Sequence, residues 1–330
     1  MIATTQGHTP KVSIIIPAYN TAAMISDCLN SVLSQTFTDL EAIVVNDGSP
    51  DTKELEKVLA PFMNWIVYIK QENKRAAGAR NTAIRQARGE FLAFLDSDDT
   101  WFPQHLALQM KLFEHDPTLD IVYADGLIIG EGKHKRFMER CPSRGEVSFS
   151  ALVTERCQVA ISTVLARKST LIKAGLFDES LQRCDDYDMW LRAAFHGAKI
   201  GYSRQLQARF SGERPGSLGQ SRAKMAEAYW MILDKAKRTL SVSEPERALI
   251  SKRAAEIRAN YQLEEAKQQL QNRQFTKAKE LLTEANRHFR QARVSLAVVG
   301  LNVAPRATRK LMSLWRHIRT EHLHNAGTPK

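Results

Sequence analysis

Five short apolar runs at 12–16, 41–46, 65–69, 91–95 and 120–124 alternate with helix-length patterns at about 21–36, 52–62, 76–88 and 103–115. The runs are β-branched or aromatic and of strand length. Few architectures accommodate such regular alternation. It predicts an α/β domain built on a mostly parallel sheet, covered on both faces by helices through right-handed crossovers. Ligands of such sheets gather at the carboxyl ends of the strands, so the residues that follow each run carry the chemistry.

Four of those ends are unusual. The run 91–95 stops abruptly in Asp96-Ser97-Asp98-Asp99. A strand buried on both faces tolerates no charge along its length, so carboxylates collect where it meets solvent. Asp96 and Asp98 can offer oxygens to a hard divalent cation, Mg²⁺ or Mn²⁺, that keeps waters and takes other ligands from a diphosphate. The same residues would also serve as an acidic turn capping the next helix, with Thr100 before it and Pro103 early in it. The first strand ends in Pro17-Ala18-Tyr19-Asn20, where proline stops the ladder. The second ends in Asn46-Asp47-Gly48-Ser49, a tight turn with a carboxylate able to accept from a ring N–H such as that of uracil. The third leads into residues 73–81, whose cations and helix N-terminal amides suit a diphosphate. Each is commonplace alone, and an arginine such as Arg80 on a helix is ordinarily a solvated surface residue.

Further along, 126–160 is irregular, with glycines at 126, 130, 132 and 145 and a basic cluster at 133–136, and reads as a hairpin or flap. A strand at 161–166, a helix at about 168–174, an acidic helix start at 185–197 and a strand pair at 199–210 complete the domain. The Gly-rich segment 211–219 marks its boundary. Three parts are therefore expected: a disordered N-terminus over 1–10, an α/β domain over 11–215 and a helical extension over 220–330.

Within the extension, Tyr261, Ala266, Leu270, Phe275, Ala278, Leu282 and Ala285 fit one tetratricopeptide-like helix pair. A single repeat cannot bury its own face, so the pair is expected to pack on the α/β domain or on a second subunit through these C-terminal helices. An apolar stretch at 296–304 precedes Pro305. Beyond it Leu311, Leu314, Trp315 and Ile318 oppose Arg306, Arg309, Lys310, Arg316 and Arg319. That pattern suits a helix lying on an anionic leaflet, and equally a docked terminal helix with a solvated basic face.

A formal net charge of +11 calls for an anionic partner: nucleic acid, a phosphorylated substrate or an anionic membrane surface. No window reaches the ~18 uninterrupted apolar residues of a spanning helix, and the run at 12–16 is too short for a secretory signal. The expected location is the cytoplasm, peripheral at the inner face of the cell membrane. Cys28, Cys141, Cys157 and Cys184 have neither zinc-type spacing nor scaffold density, and read as reduced structural thiols. His105 and His115, on a helix, read as solvated. Trp101 reads as packing under the next helix, with a sugar-site floor as the alternative.

In this order and spacing the motifs closely resemble the family 2 glycosyltransferases, which have the GT-A fold. Ile-Ile-Pro-Ala-Tyr-Asn at 15–20, Asn-Asp-Gly-Ser at 46–49, Ala-Arg-Asn at 79–81, Asp-Ser-Asp-Asp at 96–99, Gly-Leu-Phe-Asp-Glu at 175–179 and Asp-Asp-Tyr-Asp-Met-Trp-Leu-Arg at 185–192 carry the likeness over residues 11–215. The resemblance implies inverting transfer of a sugar from a nucleotide-sugar donor, UDP-linked, to a glycan or lipid-linked glycan acceptor, as in surface polysaccharide, lipopolysaccharide or capsule assembly. It implies that Pro17, Ala18, Tyr19 and Asn20 line the nucleotide pocket, with Asp47 and Gly48 at the uracil. Arg80 and Asn81 would hold the ribose-diphosphate end. Asp96 and Ser97 would approach the donor, Asp98 with Asp96 the cation, and Asp99 would act through a water or orient its neighbours. Asp186, flanked by Asp185, has the position of the catalytic base.

One departure stands out. Many family members place a metal-binding histidine just after the last strand of the domain, whereas Arg209-Phe210-Ser211-Gly212 puts Ser211 there. Arg209 and Arg214 would close over the diphosphate instead. A nucleotidyltransferase would share the sheet but predicts a Gly-rich basic loop in place of Pro-Ala-Tyr-Asn. A scaffold or nucleic-acid binder predicts a degraded acidic site, yet Asp47, Asp96, Asp98 and Asp186 are all present, so nucleic acid is the disfavoured partner.

Overall fold

A computed structural model of the protein describes residues 9–129, 134–212 and 222–308. Residues 1–8 of the expected disordered N-terminus, part of the 126–160 segment, Arg214 and the basic tail beyond residue 308 lie outside the described residues. The chain divides into two compact units, Met1–Ser217 and Leu218–Lys330.

In the first unit β1 (Val12–Ala18), β2 (Leu40–Asp47), β3 (Ile66–Gln71) and β4 (Phe91–Phe94) form a parallel sheet in the order β3-β2-β1-β4. Helices α1 (Ile25–Leu33), α2 (Thr52–Leu59) and α3 (Arg75–Gln86) make the crossovers. Val12, Ile14, Ile15, Ile16 and Ala18 are all fully buried, as a strand covered on both faces requires. The remaining elements are β5 (Thr100–Trp101), α4 (His105–His115), β6 (Ile121–Ile129), β7 (Lys135–Arg136), α5 (Phe137–Arg140), α6 (Phe149–Val153), β8 (Leu165–Arg167), α7 (Lys168–Lys173), α8 (Asp185–Phe195) and β9 (Ile200–Ser211). They extend the sheet as β4-β8-β6-β9-β5, with β7 on β6. β8 runs antiparallel between β4 and β6, and β9 lies parallel to β6.

Three expectations need correcting. The segment 161–166 is mostly not strand: Ile161–Thr163 is a 3₁₀ turn and only Leu165–Arg167 joins the sheet. The strand pair expected at 199–210 is one long strand, whose register against β6 shifts between Ala124 and Gly126. There a Cβ on Gly126 would stand 2.2 Å from the Phe210 ring, so glycine lets the aromatic lie across the bulge. His105, expected to be solvated, is fully buried and stacked on Trp101, and burial pushes its pKa down to about 3. Trp101 is core: its Nε1 donates to the Ser162 carbonyl at 2.6 Å. All four cysteines are buried, and none of them forms a disulfide.

The second unit contains α9 (Arg222–Thr239), α10 (Glu244–Gln271), α11 (Phe275–Phe289) and α12 (Ala292–Val303). A Ser243/Glu246 capping box starts α10. Leu263, Ala266 and Leu270 of α10 pack with Ala278, Leu282 and Ala285 of α11 and with Val294, Ala297 and Leu301 of α12. Within its own unit the repeat-like pair packs with neighbouring helices, α10 with α9 and α11 with α12. Among the described residues no helix is long and apolar enough to cross a membrane.

Candidate functional site

The carboxyl ends of β1, β2 and β4 are stitched to one another by short polar side chains. The Asn20 N–H, on a residue with φ 55°, donates to Ser49 Oγ at 2.6 Å, and Ala22 N–H donates to Asp51 Oδ2 at 2.8 Å. Ser97 Oγ donates to Thr21 Oγ1 at 3.1 Å and is only 3% exposed. Its hydroxyl therefore joins two strand-end loops. Along the first strand end, Pro17 is half-buried and Ala18 buried, whereas Asn20 is exposed and Tyr19, at 52%, presents an open ring.

Asp47, 2% exposed, accepts from Gln71 Nε2 at 2.6 Å and from the Lys74 N–H at 2.8 Å, both on Oδ1. That carboxylate holds the β3–α3 connection against the β2 turn. Gly48 makes the approach possible: its φ is +64°, and an added Cβ would lie 2.7 Å from the Asn73 nitrogen. Gly48→Ala should lower stability by ~1–2 kcal/mol from the left-handed backbone alone, measured by urea unfolding, and should displace the 73–75 segment that the added Cβ would meet.

The acidic motif is not a helix cap. α4 begins at His105 behind Gln104, with no side-chain cap bond, and Thr100 belongs to β5. Instead the motif faces Ser162 and the end of β9. Ser211 Oγ donates to Asp98 Oδ2 at 2.7 Å, while the Ser211 N–H donates to Asp99 Oδ1 at 2.9 Å. Ser162 Oγ donates to Asp99 Oδ2 at 2.6 Å and accepts the Asp96 N–H at 3.2 Å. Burial, then the charges of Asp98 and Asp96, raise the Asp99 carboxyl well above the ordinary carboxylate range. Three carboxylates on one turn thus form a site with excess negative charge.

Across from this turn stands the second acidic motif, at the start of α8, and Arg80 joins the two. Its guanidinium donates from Nη2 to Asp96 Oδ1 and from Nη1 to Asp185 Oδ2, each at 2.7 Å. Arg80 is 5% exposed, so the reading of a solvated surface arginine is corrected. Burial opposes its charge, but Asp96, Asp185 and Asp186 outweigh that effect and raise its pKa. Asp186, partly buried, is pushed up to about 7, first by burial and then by the neighbouring Asp185 carboxylate; Arg80 and the Tyr187 N–H pull the other way. Asp188 is held by Arg192 at 2.8 Å, whose other nitrogens reach the carbonyls of Ala174 and Leu176.

Other residues singled out in the sequence stand elsewhere. Asn81, 2% exposed, donates to the Phe177 carbonyl and to Glu179 Oε1, both at 2.9 Å, and accepts the Phe177 N–H at 3.0 Å. Its carboxamide is committed to the 175–179 segment, not to the space between the acidic motifs. Arg209 is exposed and its guanidinium lies 4.1 Å from the centre of the Phe102 ring. Ser162 went unnoticed in the sequence because nothing in its local pattern sets it apart.

Residues 13–167 match the model of the family described as Glycosyl transferase family 2. An uncharacterized glycosyltransferase of Rickettsia prowazekii is 32% identical over 189 residues, 56% of this chain and 59% of the relative. The chain thus spans little more than half the length of that relative. An uncharacterized glycosyltransferase of Methanocaldococcus jannaschii is 30% identical over 198 residues, 58% of this chain and 67% of the relative. Among solved structures, Staphylococcus aureus TarS 1-349 in complex with UDP superposes with a TM-score of 0.62 at 17% identity, covering 97% of this chain and 98% of that one. A mannosyltransferase from Pyrobaculum calidifontis, solved with GDP-Man and Mn²⁺, gives 0.59 at 19% identity over 94% and 88%. At these identities the likeness is one of fold, the GT-A α/β arrangement with a helical C-terminal region.

Proposed function

The chain belongs to glycosyl transferase family 2, and on that footing we propose that it transfers a sugar, with inversion, from a UDP-linked donor to a hydroxyl of a glycan or lipid-linked glycan. The observation that carries this reading is the Arg80 fork, which sets the strand-end carboxylate Asp96 and the helix-start carboxylate Asp185 on opposite sides of one buried cation. One motif faces the donor and the other supplies the base. Inversion requires the acceptor oxygen to attack from the face opposite the leaving diphosphate, with a carboxylate removing its proton as the bond forms. Asp186, poised near pH 7 next to Asp185, suits that task. The likeness to structures solved with UDP and GDP-Man supports a nucleotide-linked donor.

The charge excess at 96–99 fits a divalent cation, Mg²⁺ or Mn²⁺. Asp98 would hold it, with help from Asp96 through the oxygen that Arg80 does not occupy. Among the described residues no group of three or more His, Cys, Asp or Glu side chains stands in metal-holding geometry. A cation held there by Asp98 and Asp96 would keep waters and take its remaining ligands from phosphates. When bound, the cation would neutralise charge growing on the departing diphosphate. Ser211 orients Asp98, Ser162 fixes Asp99, and Tyr19 offers its open ring to the nucleotide.

Screening nucleotide sugars for cation-dependent thermal stabilisation tests the reading. A UDP-sugar at about 100 times its Kd should stabilise the protein by ~2.7 kcal/mol, and Asp98→Ala should abolish the part that depends on Mn²⁺. Absence of any shift with UDP-sugars in Mg²⁺ or Mn²⁺ would overturn the donor assignment, and undiminished Mn²⁺ dependence in Asp98→Ala would overturn the cation assignment.

A further inference from the structure

Helix α12 is apolar on two faces. Val294, Ala297 and Leu301 are buried in the core of the second unit. On another face Leu296, Val299 and Val303 are 66%, 58% and 81% exposed. Their spacing of three and four residues keeps them in one stripe. Three exposed branched side chains in a single line are more than scattered surface apolar residues require.

The charge around the stripe says what covers it. From residue 287 to the end the sequence holds nine lysines and arginines against one acid, Glu321, a net +8 of the chain's +11. Arg290 precedes the helix, Arg293 lies in its first turn, and Arg306 follows its end. A second copy of this chain docked symmetrically on the stripe would bring two such segments together in mutual repulsion. A negatively charged apolar surface attracts the same segment while accepting the leucine and valines. We propose that α12 docks on an anionic phospholipid bilayer, with Leu296, Val299 and Val303 entering the acyl boundary and the flanking arginines at the headgroups. The proposal is independent of what the first unit transfers, because it rests on α12 and the charge of the C-terminal sequence alone.

Vesicle co-sedimentation of the full chain tests it. The parent should bind vesicles containing about 30% phosphatidylglycerol at ~50 mM salt, leave pure phosphatidylcholine unbound, and dissociate at ~500 mM salt. The triple variant Leu296→Ser, Val299→Ser, Val303→Ser should bind at least about tenfold more weakly, with an unchanged melting temperature, because all three side chains lie in solvent. Failure of the parent to bind, or parental binding by the triple variant, would overturn the proposal. So would a parental dimer in solution that the variant converts to monomer, since the stripe would then join two copies. UDP binding by the same preparations reports separately on the donor site.

Discussion

Asp186→Asn should lower turnover by ~10²–10⁴-fold while leaving UDP affinity close to that of the parent. The amide keeps the shape and the hydrogen bond from Tyr187 N–H but cannot take a proton from the acceptor hydroxyl. The parental pH dependence provides the signature. A base must be deprotonated to work, so kcat/KM should fall as pH drops through about 7 rather than near the ordinary carboxylate value. Stability should move the opposite way. A carboxyl raised in the folded state binds its proton more tightly there than in the unfolded chain. Stability is therefore full below the unfolded value and is lost as pH rises through about 7. Asparagine never ionises and escapes that loss, so at pH 8 the variant should melt no lower than the parent. A variant with parental turnover would move the base to another group. One that melted well below the parent would make Asp186 a structural carboxylate.

The strands that deliver the site were legible because burial on both faces leaves its mark in local sequence: 12–16 and 91–95 admit no charge. The abrupt appearance of Asp96, Asp98 and Asp99 then marked the sheet edge. What lay beyond local pattern was partnership across long stretches of chain. Arg80 and Asp185 are 105 residues apart, and nothing near Arg80 distinguishes a buried fork from a solvated side chain. Asn81, one position away, turns to Phe177 and Glu179 for the same untraceable reason. Ser211 drew notice only through the family resemblance, and its double contact with Asp98 and Asp99 depends on where β9 ends. The insertion of antiparallel β8 between β4 and β6 was equally hidden, since a three-residue strand leaves almost no periodicity.

Arg80→Met should destabilise the first unit by about 3 kcal/mol, the lower end for breaking a buried ion pair, because Asp96 keeps a third of its side chain in solvent. Asp185, only 11% exposed, bears most of the cost of losing its partner. Urea unfolding measures that loss, but destabilisation alone would not separate a positioning residue from any buried arginine. The pH profile does. Arg80 is one of the groups that hold the Asp186 carboxyl down against burial and Asp185. Removing it should shift the acid limb of kcat/KM upward from about 7, leaving less active base at neutral pH. Arg80→Lys retains the charge but cannot reach two carboxylates with one planar fork. It should restore the limb toward about 7 while recovering only part of the stability. An acid limb unmoved by Arg80→Met would uncouple the two acidic motifs, and Arg80 would then hold the α3–α8 contact together without tuning the base.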